Sequence, residues 1–171
     1  MNRHLQTLTP LLLLASSALG QLADQATPVE KIKMAEGFKA ELLYSVPKEQ
    51  EGSWVAMTQD DKGRLITSDQ YGALYRITPP DLGGQASTTK VEKLSIDFGH
   101  CQGLLYAFGA LYGIVNDNAY QGRGLYRCKD TNGDDQHDTV EMLKSFPGKA
   151  GEHGPHGLVV GPDGKSICCV S

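Results

Sequence analysis

The chain has 171 residues, 16 Lys and Arg against 20 Asp and Glu, a net charge of −4 and 40% hydrophobic residues. That is ordinary globular composition, which excludes wholesale disorder and collagen-like repetition. An acidic balance with no basic cluster also excludes a phosphate-backbone binder, and 20 Gly with little helical periodicity point to β structure rich in turns.

Residues 1–20 read as a secretory signal peptide. Arg3 and His4 give a basic start, an apolar run from Leu11 to Leu19 follows, and Ala18-Leu19-Gly20 supplies small residues before Gln21. The run falls well short of the ~20 residues that span a bilayer. The expectation is an exported protein of the periplasm, cell envelope or extracellular space, with no transmembrane helix beyond the leader. Residues 21–36 form a lead-in, and Gly37 to Tyr44 is a possible first strand. Of the four cysteines, Cys101, Cys128, Cys168 and Cys169, the adjacent pair would face opposite ways on a strand and not bridge to each other. Export and an even count leave room for two disulfides. No Cys-x-x-Cys-His occurs, so covalent haem is not attached to this chain.

A unit then recurs. Trp54-Val55-Ala56-Met57-Thr58 leads through Asp61-Lys62-Gly63 into Arg64-Leu65-Ile66-Thr67. Gly103 to Phe108 leads into Gly109 to Val115. Gly157-Leu158-Val159-Val160 leads through Pro162-Asp163-Gly164 into Lys165-Ser166-Ile167. Each is an apolar strand, a tight turn and a second strand, and Gly supplies the positive φ such turns need. The copies begin 49 and 54 residues apart, and Leu74-Tyr75-Arg76 returns as Leu125-Tyr126-Arg127 after 51. Further strands are expected over Ala73–Thr78, Lys90–Leu94, Gly124–Cys128 and Thr139–Leu143. A period near fifty with several short strands per unit predicts an all-β fold, a partial β-propeller of about three four-stranded blades over residues 37–171. A generic meander or sandwich is the competing architecture. About 4–8 blades are needed to close a ring, so the expectation is the N-terminal part of a longer propeller.

Two constellations carry chemistry. Gly151-Glu152-His153-Gly154-Pro155-His156-Gly157 sets two histidines and a carboxylate on a stiff loop before a strand. A histidine there suits a general base, and Glu152 could fix its tautomer; a plain polar turn is the alternative. In the second, Asp130, Asn132, Asp134, Asp138 and Glu141 fall at positions 1, 3, 5, 9 and 12 of a twelve-residue loop, the spacing of a calcium site. Position 6 is Asp135 where the helix-flanked version has Gly, and a solvated acidic hairpin is the alternative. Gln102-Gly103 precedes the second copy as His156-Gly157 precedes the third and Gly52-Ser53-Trp54 the first. Gln102 and His153 could therefore meet near one axis, with His100 close by. Trp54 reads as core.

The segment Glu152-His153-x-x-x-x-Leu158-Val159-Val160-Gly161-Pro162-Asp163-Gly164-Lys165 resembles the soluble quinoprotein glucose/sorbosone dehydrogenases. Trp54-Val55-x-Met57-Thr58, Ser68-Asp69-Gln70-Tyr71-Gly72, Asp130-Thr131-x-Gly133-Asp134-Asp135 and Glu152-His153-Gly154-Pro155-His156 together are similar to exported bacterial propellers of the membrane-bound-dehydrogenase or haem-binding type. The resemblance covers roughly residues 29 to 170. It implies a six-bladed ring and oxidation of a sugar or alcohol with pyrroloquinoline quinone (PQQ). His153 would be the catalytic base, Glu152 its support, Gln102 a pocket amide and His156 a cofactor contact. It also implies calcium, and an electron-accepting cytochrome domain whose haem c lies beyond this chain. The quinone's own Arg, Lys and calcium contacts would come from later blades, so this chain alone would be inactive. A non-catalytic cell-envelope propeller that binds carbohydrate or protein is the other reading.

Overall fold

The computed structural model describes residues 26–70, 72–118, 120–150 and 154–170. The expected leader lies outside them. Among the described residues no helix is long and apolar enough to cross a membrane.

The lead-in holds a 3-10 turn at Val29–Lys31 and one helical turn, α1, at Lys48–Glu51. The strand expected over 37–44 does not form. Among the described residues no strand pairs with it; Phe38 N–H turns back to the Ala35 carbonyl, and Phe38 and Leu42 stay exposed. Its far end still docks: the Tyr44 ring stacks on Trp54, which stacks in turn on Tyr75. Trp54 is thus a half-buried layer between two tyrosines rather than a fully enclosed core residue.

Among the described residues ten strands follow in three antiparallel sheets. The first runs in sequence order through β1 (Trp54–Gln59), β2 (Leu65–Asp69), β3 (Leu74–Thr78) and β4 (Lys90–Lys93). The second runs through β5 (Cys101–Ala107), β6 (Ala110–Val115), β7 (Gly124–Lys129) and β8 (Thr139–Ser145). The third holds only β9 (Gly157–Val160) and β10 (Ile167–Val170), where four strands were expected.

Local chemistry sets the turns. Asp60 takes the backbone N–H of Lys62 and of Arg64, with Gly63 at φ 78°, and so folds β1 onto β2. Phe108 and Gly109 both take positive φ, 52° and 67°, in the two-residue hairpin between β5 and β6. Asp163 accepts from the N–H of Lys165 and of Ser166 between β9 and β10. Pro79-Pro80 follows β3 directly, and proline has no N–H for the ladder.

The two complete sheets repeat in detail. In each, the register of the first strand slips at its second residue: between Trp54 and Ala56 in β1, and between Cys101 and Gly103 in β5. Val55 and Gln102 are therefore equivalent bulge residues. The sheets also sit side by side by their first strands, β1 beside β5 and β5 beside β9. One core fills the space between the first two sheets, built on Ile66, Leu74, Leu94, Phe98, Leu104, Leu111, Val115 and Tyr126 with the thiols of Cys101 and Cys128. Full burial of such a side chain contributes about 1.5–3 kcal/mol. All four cysteines are free. Cys101 and Cys128 lie on β5 and β7 with β6 between them, a spacing no disulfide spans.

Candidate functional site

The first strands begin close together, and backbone contacts make that meeting tight. The N–H of His100 donates to the carbonyl of Gly72 at 2.9 Å, and Cys101 N–H donates to Ser68 Oγ at 3.0 Å. Ala73 and Gly99 form an antiparallel bridge. Gly103 packs its Cα on the carbonyl of His156: a Cβ there would lie 1.7 Å from that oxygen. Only glycine allows that approach. His156 N–H donates to Val170 O, which ties the loop before β9 to β10.

The step Gln102-Gly103 and the step His156-Gly157 therefore touch, although 53 residues separate them. Gln102 is half-buried at the β5 bulge, a place where a strand re-aims a side chain. Glu152 and His153 lie outside the described residues. The chain on either side of that stretch rests on one buried pair. Gly154 abuts the Asn116 amide, and Gly148 abuts the Arg123 guanidinium. Arg123 donates from Nε and Nη2 to Asn116 Oδ1, at 3.0 and 2.7 Å, and from Nη1 to the Pro147 carbonyl. Both residues are buried. Beside them His100 Nδ1 sits 3.2 Å from Asp117 Oδ2, enclosed but out of line for a hydrogen bond.

Sequence reasoning missed Asn116, Asp117 and Arg123. Asn116-Asp117 follows β6 as an ordinary polar loop, and Arg123 sits between two glycines that read only as a turn. Their meeting depends on strand register, which no local pattern announces.

The five oxygen groups of the 130–141 loop are all engaged within the protein. Asp130 takes the N–H of Gly133 and of Asp135, Asn132 takes that of Asp134, and Asp134 takes that of Gln136. Asp138 holds the N–H and hydroxyl of Thr131. Glu141 lies on β8 and pairs with Arg127. The donor types suit a hard cation, but among the described residues no three His, Cys, Asp or Glu form a group that could hold a metal. The departure at position 6 has its own use. Asp135 keeps the left-handed backbone, φ 69°, and sends its carboxylate across to the first sheet. There it binds Arg64 through two nitrogens and Lys62 through one, and its carbonyl accepts from Arg76. The Arg64 and Lys62 hydrogen bonds hold the Asp135 carboxyl well below the usual range. A cleft of about 110 Å³ lies at this junction, walled by Asp60, Arg64, Arg76, Tyr106, Asp130 and His137. Burial pushes the His137 imidazole below its ordinary pKa, and Arg76 adds to the effect.

A larger cavity of about 310 Å³ opens at the entry to β5. Gly72, Ala73, Lys93, Ile96, Asp97, Phe98, Gly99, His100 and Tyr120 line it. Compared with protein-family models, with curated proteins and with solved structures, the chain matches none.

Proposed function

We propose that this chain is the substrate-side part of an exported β-propeller of the quinoprotein-like dehydrogenase type, acting on a sugar or alcohol. Two four-stranded sheets with the same bulge, set side by side by their first strands, support blades around a common axis. Two and a half such sheets do not close a ring, and the proposal is of a ring completed by further blades. The observation that carries the functional reading is the contact of Gly103 with His156. It draws the Gln102-Gly103 step against His156.

In this reading His153 accepts the proton of a substrate hydroxyl, Glu152 supports it, and Gln102 and His156 line the pocket. A bound quinone would supply the hydride acceptor. The described residues do not fit that group: the larger cavity opposes one lysine, Lys93, with the carboxylate of Asp97, a poor seat for a tricarboxylate. In this proposal its contacts lie in further blades, and any haem c in a separate cytochrome domain. Calcium in the 130–141 loop belongs to the same proposal, on condition that Glu141 exchanges Arg127 for the ion.

The test is dye reduction with sugars and added PQQ by the protein carrying its further blades. Turnover that disappears in His153→Ala supports the reading; unchanged turnover removes His153 from the mechanism. The mixed lining of the larger cavity, with donor, acceptor and aromatic ring, favours as a second reading a non-catalytic propeller that binds carbohydrate. Sugar binding without dye reduction in the complete protein would select it.

A further inference from the structure

Trp54, the chain's single tryptophan, is the middle of a three-ring stack. Tyr44 lies at 5.6 Å between ring centroids and 17° between planes, and Tyr75 at 5.4 Å and 29°. The stack holds the lead-in on β1, and packing alone would account for the rings. It does not account for two polar atoms of the same cluster. Trp54 Nε1 and Glu51 Oε2 are enclosed, and neither has a hydrogen-bond partner among the described residues. Enclosed groups left in this way are costly, and a redox role is one of the few uses that explains them.

The Tyr44 hydroxyl donates to Glu51 Oε1 at 2.6 Å, within the roughly 2.5–2.7 Å of a charge-assisted O–H···O bond. Burial pushes the Tyr44 phenol up to about 12, and Glu51 adds to the effect, so the ring keeps its proton at neutral pH. A phenol in that state gives up an electron readily only if its proton leaves at the same time. Glu51 is placed to take it, and doing so discharges a carboxylate whose second oxygen is enclosed without a donor. The indole is the opposite case. An indole that has lost an electron is an acid at Nε1, but no acceptor faces that atom. It therefore keeps its proton and recovers an electron from a neighbouring ring. Tyr75 is the other neighbour. Its phenol is buried and raised by that burial, with no carboxylate accepting from it among the described residues. Only at Tyr44 does the proton have a base to go to.

We propose that Trp54 and Tyr44 form a one-electron relay, which passes an oxidising equivalent from the indole to the Tyr44 phenol with Glu51 as the proton acceptor. The oxidant is an external one-electron acceptor, such as a peroxide-derived radical. It takes one electron from Trp54 and leaves the indole radical cation. One electron then passes from Tyr44 to Trp54 while the Tyr44 O–H bond breaks and an O–H bond forms on Glu51. The products are a neutral indole, a tyrosyl radical and a carboxylic acid. A soluble one-electron reductant such as ascorbate returns the electron, Glu51 returns the proton, and the cycle closes. The relay uses none of Gln102, Glu152, His153 or His156, so it stands whether or not the dehydrogenase reading does.

The experiment is flash photolysis of the whole chain with tris(bipyridine)ruthenium(II) and a cobalt(III) ammine quencher, which generates a one-electron oxidant. Transient absorption follows the indole and phenoxyl radicals. With one tryptophan in the chain, the indole signal reports Trp54 alone. It should decay as the phenoxyl signal grows, and heavy water should slow that decay at least twofold, because a proton moves with the electron. Tyr44→Phe keeps the stacked ring without its proton and should lengthen the life of the indole radical at least tenfold. Glu51→Gln keeps an acceptor oxygen without the base and should lengthen it severalfold. Tyr75→Phe should change it less than twofold. An unchanged lifetime in Tyr44→Phe, the absence of a solvent isotope effect, or an equal lengthening in Tyr75→Phe would each overturn the proposal. The isotope measurement needs no substitution, so the test holds even where a variant loosens the lead-in.

Discussion

The Asp60 carboxylate is 2% exposed and takes hydrogen bonds from Lys62 N–H, Arg64 N–H and Arg64 Nε. Removing it leaves two turn amides and the Nε of Arg64 without their acceptor, while Asp135 keeps the rest of the guanidinium. Asp60→Ala should therefore cost about 3 kcal/mol in urea unfolding, and Asp60→Asn, which keeps an acceptor, clearly less. Asp135 is a more exposed version of the same device, and solvent discounts its contribution. Because Arg64 and Lys62 depress its carboxyl, its share of stability is complete above the unfolded value of about 3.9. That share is lost only as pH falls from there through the lower folded value. Asp135→Asn should flatten the acid limb of the stability profile below pH 4 and leave the neutral region with a small, pH-independent loss. The cysteines divide by burial. Burial raises the Cys101 thiol well above its ordinary value and pushes Cys128 up to about 12, whereas Cys168 and Cys169 are exposed. Ellman's reagent should titrate two thiols in the native protein and four in urea; four at once in buffer would mean that the core of the second sheet is open.

Among elements, the strands were legible and the ties between sheets were not. β2, β3, β6 and β7 announce themselves through apolar runs such as Ala110–Val115 bounded by turn residues, because a strand is a local pattern closed by local chemistry. Gly37–Tyr44 carries the same pattern and is not a strand, since pairing needs a neighbour that sequence alone does not supply. The Asp135–Arg64 contact spans 71 residues, and position 6 of the acidic loop gave no hint of it beyond the missing glycine. Gly103 read merely as the start of a strand, yet the packing makes it obligatory. Gly103→Ala would drive a methyl into the His156 carbonyl, at a cost of about 1–3 kcal/mol, and hydrogen exchange in β9 and β10 should accelerate more than in β1–β4. Uniform acceleration would mean that this contact does not dock the third sheet. The acidic loop has an equally direct check. If it takes calcium, a chelator lowers the melting temperature by several degrees; identical melts with and without chelator remove the ion from the account.

For the whole molecule, two sheets of one plan lie side by side, sharing a core, and a third begins beside them. The outer strands show how unevenly burial is distributed. β6 is buried throughout, while Cys168, Cys169 and Val170 of β10 are exposed. Among the described residues β10 pairs only with β9 and forms the edge of its sheet. The dehydrogenase reading follows from the convergence of strand starts, which sets Gly72 against His100 and Gly103 against His156. Backbone nuclear Overhauser contacts test that convergence most directly. The account predicts strong cross-peaks from Gly103 Hα to the Gly157 amide and from Gly99 Hα to the Gly72–Ala73 backbone. Sharp, assigned signals for these residues with neither cross-peak would show that the sheets do not meet at their first strands, and the dehydrogenase reading would fall with that meeting.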